Sequence, residues 1–508
     1  MRAELKLYLM TVCIVCMTVG GANLQAACDL GKILPGTPTS SETFGAGGNS
    51  LAMGAAVALV GESGANGKAS SSGAAYVSRL TGGTWSQEAK LVGSDSASYD
   101  DFGYAVDIDG DVAVVGAKKH NRYKGAVYVF VYDLAAGQWR EHQKLSPAAD
   151  DGDSFGFSVA VSGDLIVGGA PGDDDVGSNY GGAAYVYRRN AHTGLWEFEK
   201  KLLASDGGNV DWSGWDVDVS GDCIAVGAPR KNSMRGAVYV YRHNGLTWTQ
   251  EQKLIASDGA ANDFFGENVS LNGQILVGSA KADDDKGDAS GSVYVFRYNT
   301  VTKVWTQEQK LLADDGASQD YFGSDVAVSG NFAVVGSVWD DDGGNNSGSA
   351  YTFAYKGPTL GWIQSEKLRA PISDAEDKFG SCVAAWTWMA MVGTPGDDDA
   401  GTNAGAAYVR GGFSDKDCNG NGVPDECDIG AGTSADANGN GIPDECELPD
   451  LDGDEDVDAS DLAVLGTYWH RDDCSGAAEC AVADVTGDGR IYADDLAELC
   501  ASWLAGVE

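Results

Sequence analysis

Oxygen-bearing side chains recur at every second position near the C-terminal end of this chain. Asp417, Asn419, Asn421, Val423, Asp425 and Asp428 take places 1, 3, 5, 7, 9 and 12 of a loop whose sixth residue is Gly422. Asp436, Asn438, Asn440, Ile442, Asp444 and Glu447 repeat the pattern around Gly441. A divalent cation of calcium's size takes six to eight oxygens. Alternating side chains converge on one centre, the seventh residue gives its carbonyl, and the glycine permits the sharp turn. Two further loops follow. Asp450, Asp452, Asp454, Asp456, Asp458 and Asp461 form one; Asp484, Thr486, Asp488, Arg490, Tyr492 and Asp495 form the other. The bland alternative for the whole stretch is a flexible acidic linker.

The helices that would position the last two loops are also duplicated. Leu462, Leu465 and Trp469 are matched 34 residues later by Leu496, Leu499 and Trp503, and their spacing puts each set on one helical face. Residues 414–508 hold 25 acids against Lys416, Arg471 and Arg490, more than half of the net charge of -41. So acidic a chain repels phosphates, which argues against nucleic acid as a partner. Arg2 and Lys6 flank an apolar run, Leu7–Val19, too short to span a bilayer, and small residues follow it. Residues 1–27 therefore read as a signal peptide of a secreted protein, with no transmembrane segment in the rest. The sequence before Cys28 lacks the aliphatic residue that a lipid-anchor signal carries three places earlier. Of the nine cysteines left, six fall between Cys418 and Cys500, as in a disulfide-pinned tail; the odd count leaves at least one thiol unpaired within the chain.

The middle of the chain is a repeat. Phe-Gly recurs at Phe44-Gly45, Phe102-Gly103, Phe155-Gly156, Phe265-Gly266, Phe322-Gly323 and Phe379-Gly380, with Ser213-Gly214 as a variant, at glycine spacings of 52 to 58. Each unit offers four short stretches of strand-like patterning separated by turn residues, one four-stranded antiparallel sheet. Sheets repeated at such a period bury their faces on one another as propeller blades. Six units end in a Trp and a Lys five residues apart, from Trp85/Lys90 to Trp362/Lys367, while the seventh stops at Gly411-Gly412-Phe413 without that strand. Lys32 precedes Gly45 by 13 residues, the spacing by which Lys90 precedes Gly103 and Lys310 precedes Gly323. The N-terminal segment is thus expected to supply the outer strand of the last blade.

The Phe-Gly … Gly-Ala-Pro pattern, clearest at Phe155-Gly156 … Gly169-Ala170-Pro171, resembles the FG-GAP repeats of integrin α-subunit propellers and their bacterial relatives. The short hairpins at Ser220-Gly221-Asp222 and Asn272-Gly273-Gln274 lack the calcium loop of that family, so the resemblance implies the fold but not calcium there. Pro424-Asp425-Glu426-Cys427 and Pro443-Asp444-Glu445-Cys446 look like thrombospondin type-3 repeats. The last segment resembles a type I dockerin, which implies calcium (Ca2+) and a cohesin-like partner. Glu455 replaces a loop glycine there, and Ala459-Ser460 and Ala493-Asp494 stand where a cohesin would be read.

The expected architecture is an all-β seven-bladed β-propeller over 28–413, thrombospondin type-3-like repeats over 414–449, and an α-helical dockerin-like module over 450–508. An acid precedes the Phe position by two residues in each unit: Glu42, Asp100, Asp153, Asp211, Asp263, Asp320 and Asp377. These are turn carboxylates or, less in keeping with one acid per blade, a cation-collecting ring. The clusters Asp173–Asp175, Asp283–Asp285, Asp340–Asp342 and Asp397–Asp399 are expected at solvated loop tips. Gly152-Asp153-Ser154-Phe155-Gly156 matches a nucleophile elbow but overlaps the blade signature, and no helix should follow it. The functional expectation is a secreted binding or adhesion protein whose propeller takes an extracellular protein or glycan ligand. The alternative is a glycoside hydrolase or lyase of polysaccharide catabolism.

Overall fold

The computed structural model describes residues 28–411, apart from 36–43, 46–48, 55, 82–83, 148–149 and 175–179, together with Cys427 and Ser434. The chain divides into two compact units, Met1–Asp415 and Lys416–Glu508. The signal segment and the four expected calcium loops, from Asp417 to Asp495, lie outside the described residues.

Among the described residues, twenty-eight strands form seven four-stranded antiparallel sheets. Blade 3 shows the unit: Val159–Ser162, Leu165–Ala170, Ala183–Arg189 and Trp196–Leu202, hydrogen-bonded in sequence order. The second strand is buried along its whole length and is nearly continuous in apolar residues, because both its faces meet neighbouring blades. The outer strand, Trp196–Leu202, alternates and is half solvated. First strands of successive blades touch one another around the central axis.

Each phenylalanine of the repeat is fully buried and packs edge-on or tilted against a tyrosine of its blade's third strand, as in Phe102–Tyr128 at 5.2 Å and Phe322–Tyr351 at 5.5 Å between centroids. The following glycine is needed for backbone approach. Gly103 has φ +86°, and a Cβ there would lie 2.1 Å from the carbonyl oxygen of Ala74 in the preceding blade. Adjacent blades are joined at this point by bridges such as Gly73–Phe102 and Gly125–Phe155.

The ring closes as the spacing predicts. Cys28–Ile33 pairs antiparallel with Ala406–Gly411 and becomes the outer strand of the blade begun by Val383–Trp386 and Met389–Thr394. Cys223 and Cys382 are buried free thiols, and Cys427 is in a disulfide.

Candidate ligand site at the channel mouth

The turn acids are accounted for by local structure. Asp100, Asp153, Asp211, Asp263, Asp320 and Asp377 are buried, and each accepts a hydrogen bond from the backbone N–H three residues earlier, as in Ala97 N–Asp100 Oδ2 at 2.7 Å. They are turn carboxylates; Glu42 lies outside the described residues. Burial, and behind it the nearby charges of Asp173, Asp340 and Asp397, push Asp153, Asp320 and Asp377 up to about 6. Ser154 donates to the Gly152 carbonyl and a strand follows it, so the elbow-like pattern is a turn.

The expectation of solvated tips needs correcting. Asp174, Asp284, Asp341 and Asp398 are exposed, but the first acid of each cluster is buried: Asp173, Asp283, Asp340 and Asp397. Each meets the repeat lysine of the outer strand, Lys201, Lys310, Lys367 and Lys32, at 2.6–3.0 Å, and a tyrosine hydroxyl, that of Tyr185, Tyr294, Tyr351 or Tyr408. The partners come from the third and outer strands of the same blade, which tip composition alone does not reveal. All seven repeat lysines also lie over a tyrosine ring, 4.9–5.6 Å from its centre. In blades 2 and 4 the cluster acid is replaced by His120 and Lys231, which turn to Asp100 and Asp211 at 2.7 Å. His120 is therefore part of the blade's framework.

Two cavities of about 220 and 250 Å³ lie where the inner strands meet, and Asn49 lines both. The first contains Asp107, Asp218 and Asp325, which the sequence reading missed because alternation on an inner strand looks like ordinary solvated polarity. These carboxylates stitch blades together. Asp107 accepts from Ile108 N at 2.8 Å and from Val161 N of the next blade at 2.6 Å. Asp218 does the same with Val219 and Leu271, and Asp325 with Val326 and Val383. Burial deep in the ring pushes them up to about 8, 6 and 7 respectively, although Asp107 and Asp218 keep some contact with channel water.

The second cavity is lined by Tyr104, Phe157 and Trp215 together with Asp216, Glu267, Asn268 and Lys281. Tyr104, Phe157 and Trp215 each follow the repeat glycine, so three consecutive blades place them side by side. Trp212 takes the left-handed turn position before Ser213 at φ +58°, a position occupied likewise by Asp101, Ser154, Phe264, Tyr321 and Lys378. Ring centroids step 4.7 Å from Trp212 to Trp215, which are stacked, then 4.5 Å to Phe157 and 5.2 Å to Tyr104. A cation caps each end. The Arg230 guanidinium lies 3.4 Å from the Trp212 ring centre, and Lys118 Nζ lies 3.0 Å from that of Tyr104. Asp216 accepts from Asn49 Nδ2 at 2.6 Å and from the N–H groups of Val217 and Val269; burial holds it well above the usual carboxylate range. Glu267 is paired with Lys281 at 2.7 Å.

Six stretches match the FG-GAP repeat model: 85–130, 139–187, 196–241, 248–296, 305–353 and 362–410. Together they cover more than half of the chain, and the chain belongs to the FG-GAP repeat family. Residues 448–501 match the Dockerin type I domain model. Integrin alpha-4 of Xenopus laevis is 30% identical over 216 residues, 39% of this chain and 20% of that protein. Integrin alpha-6 of Gallus gallus is 33% identical over 168 residues, 30% of this chain and 15% of that protein. The chain thus spans a fifth or less of the length of these relatives. Among solved structures, Saccharomyces cerevisiae Sqt1 aligns with TM-score 0.40 and 10% identity, over 74% of this chain and 98% of that one. Among the described residues no helix is long and apolar enough to cross a membrane.

Proposed function

We propose that this is a secreted binding protein in which the propeller holds a ligand at its channel mouth and the tail attaches the molecule, in a calcium-dependent way, to a cohesin-like partner. The observation that carries the reading is the combination of an aromatic-lined mouth on the ring with a separate Dockerin type I match at 448–501. Concave sites lined by aromatic groups with a few convergent polar groups are where proteins hold small ligands. Dockerin-type modules use calcium to order their helices. The donor set suits that ion: all ligating side chains are oxygen donors, and hard oxygens are what calcium takes. The channel carboxylates supply the contrast with the hydrolase alternative, since both oxygens of Asp107, Asp218 and Asp325 are engaged by backbone N–H groups rather than poised on an open surface.

The test is capture of the full chain on an immobilised panel of type I cohesins, with calcium and with chelator, alongside a polysaccharide turnover assay. Capture that needs calcium and is lost in Asp450→Ala and Asp484→Ala together supports the attachment reading. Equal capture in chelator, or none by any cohesin, overturns it. Turnover abolished by substituting a single channel carboxylate would instead establish an enzyme.

A further inference from the structure

We propose that the row Trp212–Trp215–Phe157–Tyr104, with Arg230 and Lys118 at its ends, is the binding surface for an acidic oligosaccharide, a chain of pyranose rings bearing carboxylate or sulfate groups. The inference rests on the reading of the propeller as a ligand platform and specifies its ligand class.

The C–H faces of sugar rings pack on apolar aromatic surface, and the part-exposed rings of this row offer such a surface across three blades. What selects acidic sugars is the state of the two cations. Arg230 forms no ion pair among the described residues, and its Nε is buried without a hydrogen-bond partner. Lys118 likewise has no carboxylate bound to it among those residues. Asp101, the acid nearest it in charge, is held by Lys119 at 2.9 Å. Both cations rest on the rings at the ends of the row and neither has a carboxylate partner among the described residues, in a chain with 75 acids and 34 lysines and arginines. Elsewhere on the ring, six of the seven repeat lysines, Lys32, Lys144, Lys201, Lys253, Lys310 and Lys367, each have a carboxylate, and the seventh, Lys90, donates to the Asn66 carbonyl.

The acids at the mouth do not cancel this field. Glu267 is neutralised by Lys281, and Asp216 takes three hydrogen bonds from protein donors. Arg230 is only part-buried, so an anionic group on the ligand can pair with the accessible part of its guanidinium, and charge-assisted bonds of this kind are the strong ones. Lys118 is pushed down to about 8 by its burial, against the weaker pull of Asp101, so an anion beside it favours its charged form.

The experiment is titration of the full chain, followed by tryptophan fluorescence, with oligogalacturonate, a sulfated galactan oligomer, neutral cello-oligosaccharide and poly-glutamate peptide. The expected result is binding of one or both acidic sugars, weakened by salt, with the two arms distinguishing carboxylate from sulfate recognition. Arg230→Gln and Lys118→Gln should each weaken it on the order of tenfold while leaving the circular dichroism spectrum of the folded ring unchanged, because each removes a charge-assisted contact without removing a native ion pair. Trp215→Phe, which keeps an aromatic ring, should bind better than Trp215→Ala. Binding of the neutral sugar as tightly as the acidic ones overturns the charge argument but leaves the platform reading in place. Preference for the peptide overturns the sugar assignment. No binding of any probe, or binding indifferent to all three sites, overturns the proposal.

Discussion

Lys32 Nζ lies 2.8 Å from Asp397 Oδ2, an ion pair between residues 365 apart that fastens the two ends of the propeller to each other. Asp397 is buried, and Lys32 also reaches Asp399 and lies over the Tyr408 ring. Removing one partner of such a pair leaves an uncompensated charge inside. Lys32→Met should therefore destabilise the propeller by roughly 2–4 kcal/mol, below the full cost of a wholly buried pair because Lys32 is partly solvated. Chemical denaturation of the full chain reads this directly. A loss within about 0.5 kcal/mol of zero, the range of an ordinary surface change, would show that the closing strand is held by backbone pairing alone.

Deleting residues 28–33 should do more. It removes the outer strand of the seventh blade and leaves Ala406–Gly411 as an unpaired edge. Open edges pair with other chains, so the truncated protein should form oligomers in size-exclusion chromatography. A monomer with unchanged melting would contradict the role of that strand.

Two glycines with positive backbone φ angles should respond differently to the same substitution. Gly103→Ala puts a methyl group 2.1 Å from the Ala74 oxygen, whereas Gly110, at φ +56°, has open space where a Cβ would sit. The cost at Gly110 should be the left-handed strain alone, about 1 kcal/mol, and at Gly103 about 3 kcal/mol or more, because two blades must separate. Equal losses in urea unfolding would mean that blade contact at the repeat glycine is looser than this geometry implies.

Stability should fall as pH rises from about 5 to about 8. Asp107, Asp218 and Asp325, with Asp153, Asp320 and Asp377, are all held above their unfolded values, to between about 6 and about 8. The folded state then binds more protons than the unfolded one, so the benefit is fully present below the unfolded pKa and is lost as pH climbs through the folded values. Each group adds a slope of up to about 1.4 kcal/mol per pH unit within its window. Asp206, held down to about 2 chiefly by its bonds to Lys253 and Tyr239 against the cost of burial, acts oppositely but only below about pH 4. Melting scans should show the trend, and Asp107→Asn, which removes the group pushed highest of the six, should make it shallower between pH 6 and 8. A flat profile in the parent protein would refute it.

The ring itself was legible in the sequence because its determinants are local and repeated. A glycine that must admit a neighbouring backbone, a phenylalanine that must fill a blade and a Trp/Lys pair on the outer strand recur in register, and the 13-residue spacing before Gly45 located the closing strand. The candidate site was not legible. Tyr104, Phe157 and Trp215 lie 53 and 58 residues apart and look like unremarkable residues of three strands. Only the rotation from blade to blade brings them into one row. Asp173 and its counterparts were misjudged for a related reason: their neighbours in sequence are solvated, while their partners, Lys201 and Tyr185, are supplied by other strands.

The closing strand also sets the order in which the molecule can assemble. Every other blade is made from strands that follow one another within one repeat, but the seventh waits for residues 28–33 to meet residues 406–411. Each doubling of a closed loop costs about 0.6 kcal/mol, so bridging the whole ring rather than a short hairpin costs on the order of 3 kcal/mol until the intervening blades have stacked. That contact is consequently favoured only after the intervening blades have stacked, and a chain emerging N-terminus first carries an open seam until its final repeat has been made.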